Sequence, residues 1–124
     1  MTTRPALANT GAMKEFVRAF EVTSKLTGHA YQCQFSYLWN GIATRHSDTI
    51  DTKFFVDSEV VMVGLAHTAF VKFRERNGRD LTDREASFIA ADYLRERLEE
   101  EDVRPVYDVT HEDVLRLIEQ LGIK

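Results

Sequence analysis

Cys33, His46, Asp48 and Asp51 are the residues of this chain whose types and spacing could do chemistry. A thiol becomes a nucleophile only when a nearby base takes its proton, and a carboxylate can orient that base. Cys33, His46 and Asp48 supply those three types and form a candidate catalytic set if a hairpin brings them onto one face. His46, Asp48 and Asp51 form a candidate metal set instead, because one imidazole with two carboxylates suits iron, manganese or zinc. Each set has a plainer alternative. Cys33 stands between Tyr31 and Phe35 in an apolar stripe, and free cysteine is among the most buried residue types. His46, Asp48 and Asp51 also read as solvated residues of a connection, since their spacing matches no established metal motif. His29, His67 and His111 are scattered along the chain.

A third candidate is basic. Arg74, Arg76 and Arg79, with Lys72 and Arg84 on either side, could present guanidinium groups and the backbone of Asn77-Gly78 to a phosphate or a nucleic acid. Glu75, Asp80, Asp83 and Glu85 are interleaved, and this local neutralisation favours a solvated face. The acidic run from Glu99 to Asp102 lacks the alternating oxygens and central glycine of a calcium loop. No glycine-rich phosphate loop, nucleophile elbow or zinc-protease helix motif occurs, and no cofactor is predicted.

The element that must position Cys33 is the clearest in the chain. Tyr31, Cys33, Phe35, Tyr37 and Trp39 alternate with Gln32, Gln34 and Ser36, the period-two pattern of a strand with one buried and one wet face. Asn40-Gly41 follows, the dipeptide favoured in two-residue hairpin turns. A hairpin there sets Trp39 opposite Ile42, Tyr37 opposite Thr44, Phe35 opposite His46 and Cys33 opposite Asp48. Residues 53–56 and 59–65 read as two further strands joined through Asp57-Ser58, the second, with its apolar run Val60–Val63, central and covered at least in part on both faces. The segment Met13–Lys25 fits either a helix or a strand, with β-branched Val22-Thr23 favouring a strand that ends before Thr27-Gly28.

Helical spacing takes over at Ala66, Ala69, Phe70 and Phe73, with Gly78 as its left-handed stop. Thr82 and Glu85 have the spacing of a capping box, and Ala86, Ile89, Ala90, Tyr93, Leu94 and Leu98 form the apolar stripe of the helix it opens. Residues 103–109 suggest a short strand with Pro105 at an edge. Thr110 caps a last helix that buries Val114, Leu117, Ile118 and Leu121. Phe88 falls off the stripe of its helix and is a candidate core flank or interface residue.

The expected fold class is therefore α+β, an antiparallel sheet of about four to five strands in hairpins or a meander, with two to three helices packed on one face. The core should hold Tyr31, Phe35, Tyr37, Trp39, Val61, Val63, Phe70, Phe73, Ile89, Tyr93, Leu94, Val114 and Ile118. The polar face through Gln32, Gln34 and Ser36 should meet water or another subunit. Residues 1–12 are small and polar and are expected to be disordered, leaving one domain over 13–124.

The chain of 124 residues carries a net charge of −4, which disfavours nucleic-acid and anionic-membrane partners. Its single cysteine excludes an internal disulfide and suits a reducing cytoplasm. No stretch is long and apolar enough to span a bilayer, and the first residues lack the apolar core of a secretory signal. The leading expectation is a small soluble cytoplasmic interaction or regulatory module without catalytic activity, which self-associates or binds a protein. The alternatives are a small enzyme or metal-binding protein centred on Cys33, His46, Asp48 and Asp51, and a phosphate or nucleic-acid binder through Arg74, Arg76 and Arg79.

Overall fold

A reversal at Asp57-Ser58 sets the sheet. Both residues have positive φ (49° and 71°), as a two-residue hairpin turn requires, and Val56 pairs directly with Glu59 across it. The Asp57 carboxylate stabilises the turn from outside: its Oδ1 accepts from the Gln32 N–H at 2.8 Å, and its Oδ2 lies 2.7 Å from His29 Nε2. The Gln32 bond first, and His29 second, hold the Asp57 carboxyl below the usual carboxylate range.

The computed structural model describes residues 15–40 and 48–124. The N-terminal segment expected to be disordered, residues 1–12, lies outside them. The elements in order are β1 (Phe20–Thr23), β2 (Ala30–Asn40), β3 (Thr49–Val56), β4 (Glu59–Ala66), α1 (His67–Asn77), α2 (Asp83–Glu99), β5 (Val106–Val109) and α3 (His111–Gln120). The class is α+β, a five-stranded sheet in the order β1-β2-β3-β4-β5 with three helices. β1 to β4 run antiparallel in sequence. β5 departs from the expected meander: it joins β4 in parallel after the chain has passed through α1 and α2, the long crossover that parallel strands require.

The first expected hairpin is corrected. β2 continues as strand through Asn40, and β3 begins only at Thr49. Cys33 pairs with Val56 rather than Asp48, Phe35 with Phe54 rather than His46, Tyr37 with Lys53 rather than Thr44, and Trp39 with Asp51 rather than Ile42. Ile42, Thr44 and His46 lie outside the described residues. Apolar complementarity decides the register: it sets Cys33 and Phe35 against Val56 and Phe54 on a buried face, where aspartate and histidine would lose their hydration.

A bulge makes the second correction. The β2–β3 register shifts between Phe35 and Tyr37, so Ser36 is an extra residue and every later side chain changes face. Leu38 takes the core side and packs against the buried cluster, while Tyr37 is 50% exposed and Trp39 half-buried. Neither belongs to the core. Phe35, Phe70, Tyr93 and Phe88 flank it, and the other expected members are buried in it.

One cluster joins Val22 and Cys33 of β1–β2, Phe54 and Val56 of β3, Val61, Val63 and Leu65 of β4, and Tyr107 and Val109 of β5 to the buried stripes of the three helices. β4 is covered on both faces only in part, since Val61 and Val63 are buried while Val60 is 48% exposed. The capping box forms as its spacing implied: Thr82 Oγ1 accepts from Glu85 N at 3.0 Å, and Glu85 Oε1 accepts from Thr82 N at 2.9 Å. Thr110 caps α3 through the Asp113 N–H. Gly78 ends α1 in the left-handed conformation, φ 73°.

Candidate functional site

Residues paired across neighbouring strands share a face, so the register defines the side of the sheet away from the core. It carries three rungs. Gln34, Phe55 and Val60 form the first, Tyr37, Lys53, Met62 and Val106 the second, and Trp39, Asp51, Gly64 and Asp108 the third. Tyr37, Val60 and Val106 are 50%, 48% and 43% exposed, and Trp39, Lys53, Phe55 and Met62 are half-buried. The Tyr37 and Trp39 rings lie 5.0 Å apart, and Lys53 Nζ is 5.3 Å from the Tyr37 ring and 5.1 Å from Phe55. That geometry places a cation among aromatic faces, where the ring quadrupoles attract it. Beyond the first rung the surface runs into a groove of about 570 Å³ lined by Ala19, Gln32, Cys33, Gln34, Phe55 and Ser58.

The third rung is built differently. Asp51 is fully buried, and its Oδ1 accepts from Thr49 Oγ1 at 2.8 Å. Gly64 makes room for it: a Cβ there would stand 2.8 Å from Asp51 Oδ1 and 3.4 Å from Asp108 Oδ1. Nearby, His67 begins α1 with its N–H on the Asp48 carbonyl and its Nδ1 3.5 Å from the Asp48 carboxylate. Asp48, Asp51 and Asp108 thus gather at the end of the sheet where β4 and β5 hand over to helices. Among the described residues, no group of three or more His, Cys, Asp or Glu is placed to hold a metal ion. His46, the third member of the candidate metal set, lies outside the described residues.

Cys33 sits at the other end. Its β3 partner is Val56, and Asp48 precedes the far end of that eight-residue strand, about 26 Å away at ~3.3 Å per residue. The thiol is 2% exposed and its Sγ lies 3.9 Å from the Tyr31 carbonyl. Burial, reinforced by the Asp57 charge and opposed by Arg95, pushes its pKa up to about 12. Burial of this kind disfavours the thiolate that a nucleophile needs.

The three arginines have separate neighbours. Arg79 makes a bidentate pair with the buried Glu85 carboxylate at 3.0 and 2.8 Å, and it also donates to the Lys124 main-chain oxygen. Arg74 lies 3.7 Å from Asp80. Arg76 borders a different groove, of about 330 Å³, floored by Phe73, Leu115, Ile118 and Ile123.

Lys53, Val60, Met62 and Val106 of the outer face carry no motif; the unbroken apolar run Val60–Val63 was the local signal that both faces of its strand are apolar. Tyr37 and Trp39 reach that face only through the bulge, for which Ser36 gives no signature. The fold and this face define a small α+β domain with an apolar, partly aromatic sheet surface. No family model matches the chain, and neither a curated protein nor a solved structure is significantly similar to it. Among the described residues, no helix is long and apolar enough to cross a membrane.

Proposed function

We propose that this protein is a small non-catalytic interaction module whose working surface is the outer face of its sheet. The observation that supports this is the first two rungs, where Tyr37, Phe55, Val60, Met62 and Val106 stand together in register on the side away from the core. Contiguous exposed apolar surface on a folded domain marks a place where something binds. Tyr37 and Trp39 offer large contact area at low conformational cost, and the flanking Gln32 and Gln34 supply a hydrogen-bonding rim. The single cysteine, buried and protonated, suits a reducing cytoplasm as the setting.

The test uses an environment-sensitive naphthalene sulfonate dye on dilute protein. The dye should bind the native fold and receive energy from Trp39, the sole tryptophan. The double variant Val60→Glu, Val106→Glu should fold and lose that signal. A native protein that never takes up the dye has no accessible apolar face, and the proposal fails.

A second reading is a cation-dependent activity around Asp48 and Asp51, with His46, which lies outside the described residues, as the third member of the candidate set. It draws on the burial of Asp51 beside Gly64 and Asp108. Native mass spectrometry of protein purified without chelator separates the two, since bound metal mass would favour this second reading. Phosphate or nucleic-acid binding through Arg74, Arg76 and Arg79 has the least support, because Arg79 is already engaged by Glu85.

A further inference from the structure

We infer that the occupant of the outer face is a second copy of this chain, seated about a two-fold axis that runs parallel to the strands between β3 and β4. The inference rests on reading that face as an interaction surface. It comes from how side-chain size is distributed across the rungs. The β2–β3 half carries the large side chains Tyr37, Lys53 and Phe55, and the β4–β5 half carries the slimmer Val60, Met62 and Val106.

A two-fold axis along the strands keeps each rung at its own height and reverses its order. Tyr37 then meets Val106 of the second copy, Lys53 meets Met62, and Phe55 meets Val60. On these two rungs Tyr37 and Phe55 each face a valine and Lys53 lies along Met62, and each contact occurs twice, as an isologous interface demands. Placing the axis on β3 itself would set Lys53 against Lys53 and oppose like charges, so the position between β3 and β4 is selected. On the third rung the same operation sets Trp39 opposite Asp108 of the second copy, while Asp51 and Gly64, buried within each copy, add no contact.

Two sheets meeting this way form an aligned sandwich, the ordinary mode of sheet-on-sheet packing. The area suits a weak dimer. Four strands ~4.8 Å apart and three rungs ~6.6 Å apart give a footprint of about 400 Å² per copy, or roughly 800 Å² over both. That is the low end of interface size, so association should be weak and concentration-dependent.

The experiment is sedimentation velocity from low to high micromolar protein, joined to disulfide trapping in a Cys33→Ser background. Tyr37→Cys protein is mixed with Val106→Cys protein and oxidised. The expected result is a concentration-dependent dimer, a mixed Tyr37→Cys/Val106→Cys disulfide in at least fivefold excess over either homodisulfide, and a monomer for Val60→Glu, Val106→Glu. A dimer that survives the glutamate variant, or that traps no mixed disulfide, overturns the inference because association then uses another surface. A protein that stays monomeric yet binds the dye overturns self-pairing and leaves the interaction face standing. A monomer that takes up no dye ends both.

Discussion

Gly64→Ala should destabilise this protein although it adds a single methyl group to a strand. The new Cβ would stand 2.8 Å from Asp51 Oδ1, 3.4 Å from Asp108 Oδ1 and 3.5 Å from Thr49 Cβ. Asp108 is exposed and can turn away. Asp51 cannot easily do so, because it is fully buried and its Oδ1 holds the Thr49 hydroxyl at 2.8 Å. Either that bond is given up or β3 and β4 shift apart, and overpacking of this kind costs about 1–3 kcal/mol. Replacing glycine restrains the unfolded chain and returns about 0.4–1 kcal/mol. The expected net loss is about 1–2 kcal/mol. In urea, with a slope of ~1–2 kcal/mol per molar for a chain of this size, the midpoint should fall by about 1 M at unchanged slope. Asp51→Ser removes the obstructing oxygen, so Gly64→Ala made in that background should cost distinctly less, with a coupling of about 1 kcal/mol. An unchanged or raised midpoint for Gly64→Ala would show that the Asp51 carboxylate does not lie over Gly64, and the β3–β4 register on the outer face would have to be redrawn.

Three further outcomes follow from the described contacts. Cys33 should react with iodoacetamide at pH 8 only as fast as the protein unfolds globally, since the thiol is 2% exposed with its pKa pushed up to about 12; rapid labelling of the native state would contradict its placement. The Tyr31 phenol donates to Glu101, and that bond first and burial second raise its pKa to about 12, above the ~10 of an unfolded tyrosine. Its contribution to stability is therefore complete below pH ~10 and lost as the pH rises towards 12, so Tyr31→Phe should flatten the alkaline limb of the stability profile and remove one late phenolate transition in ultraviolet titration. Arg79→Met keeps a stem over the Phe73 ring but strands the buried Glu85 carboxylate, for about 1–3 kcal/mol. In the native protein burial pushes Glu85 up, yet Arg79 and the Thr82 N–H outweigh it and hold its pKa below the ordinary value. The stabilisation is thus present above pH ~4.3 and lost on acidification, and in Arg79→Met the acid unfolding midpoint should move to higher pH.

Local rules hold in this sequence wherever a few neighbouring residues decide the geometry. Thr82 with Glu85, Thr110 and Gly78 each took the role their types imply, because a cap or a left-handed stop is settled within one helical turn. Strand β2 was legible from its alternation up to Phe35. Beyond it, Ser36 inverts the faces of Tyr37 and Trp39, and a bulge depends on the partner strand rather than on its own residue. Asn40-Gly41 carries a strong turn dipeptide, yet β2 runs through Asn40 and pairs with β3 so that Cys33 and Phe35 match Val56 and Phe54, whereas the reversal expected at Asp57-Ser58 formed. Long-range apolar pairing there prevailed over turn propensity. The juxtaposition of Cys33 with Asp48 was inferred only through the register that this pairing displaced.

The parallel placement of β5 has a kinetic consequence. β1 to β4 form by successive reversals between neighbours in the chain, each closing a modest loop. β5 can add to β4 only after α1 and α2 have folded back, which makes it the contact of largest sequence separation in the sheet. Non-local pairings of this kind bear their loop entropy before any contact compensates it, and so they form late. The meander with its β3–β4 turn should therefore lead in refolding, with β5 and α3 docking last. Until they dock, the β4 edge at Met62–Leu65 is unpaired, and this interval is when the chain is most open to pairing with the wrong strand.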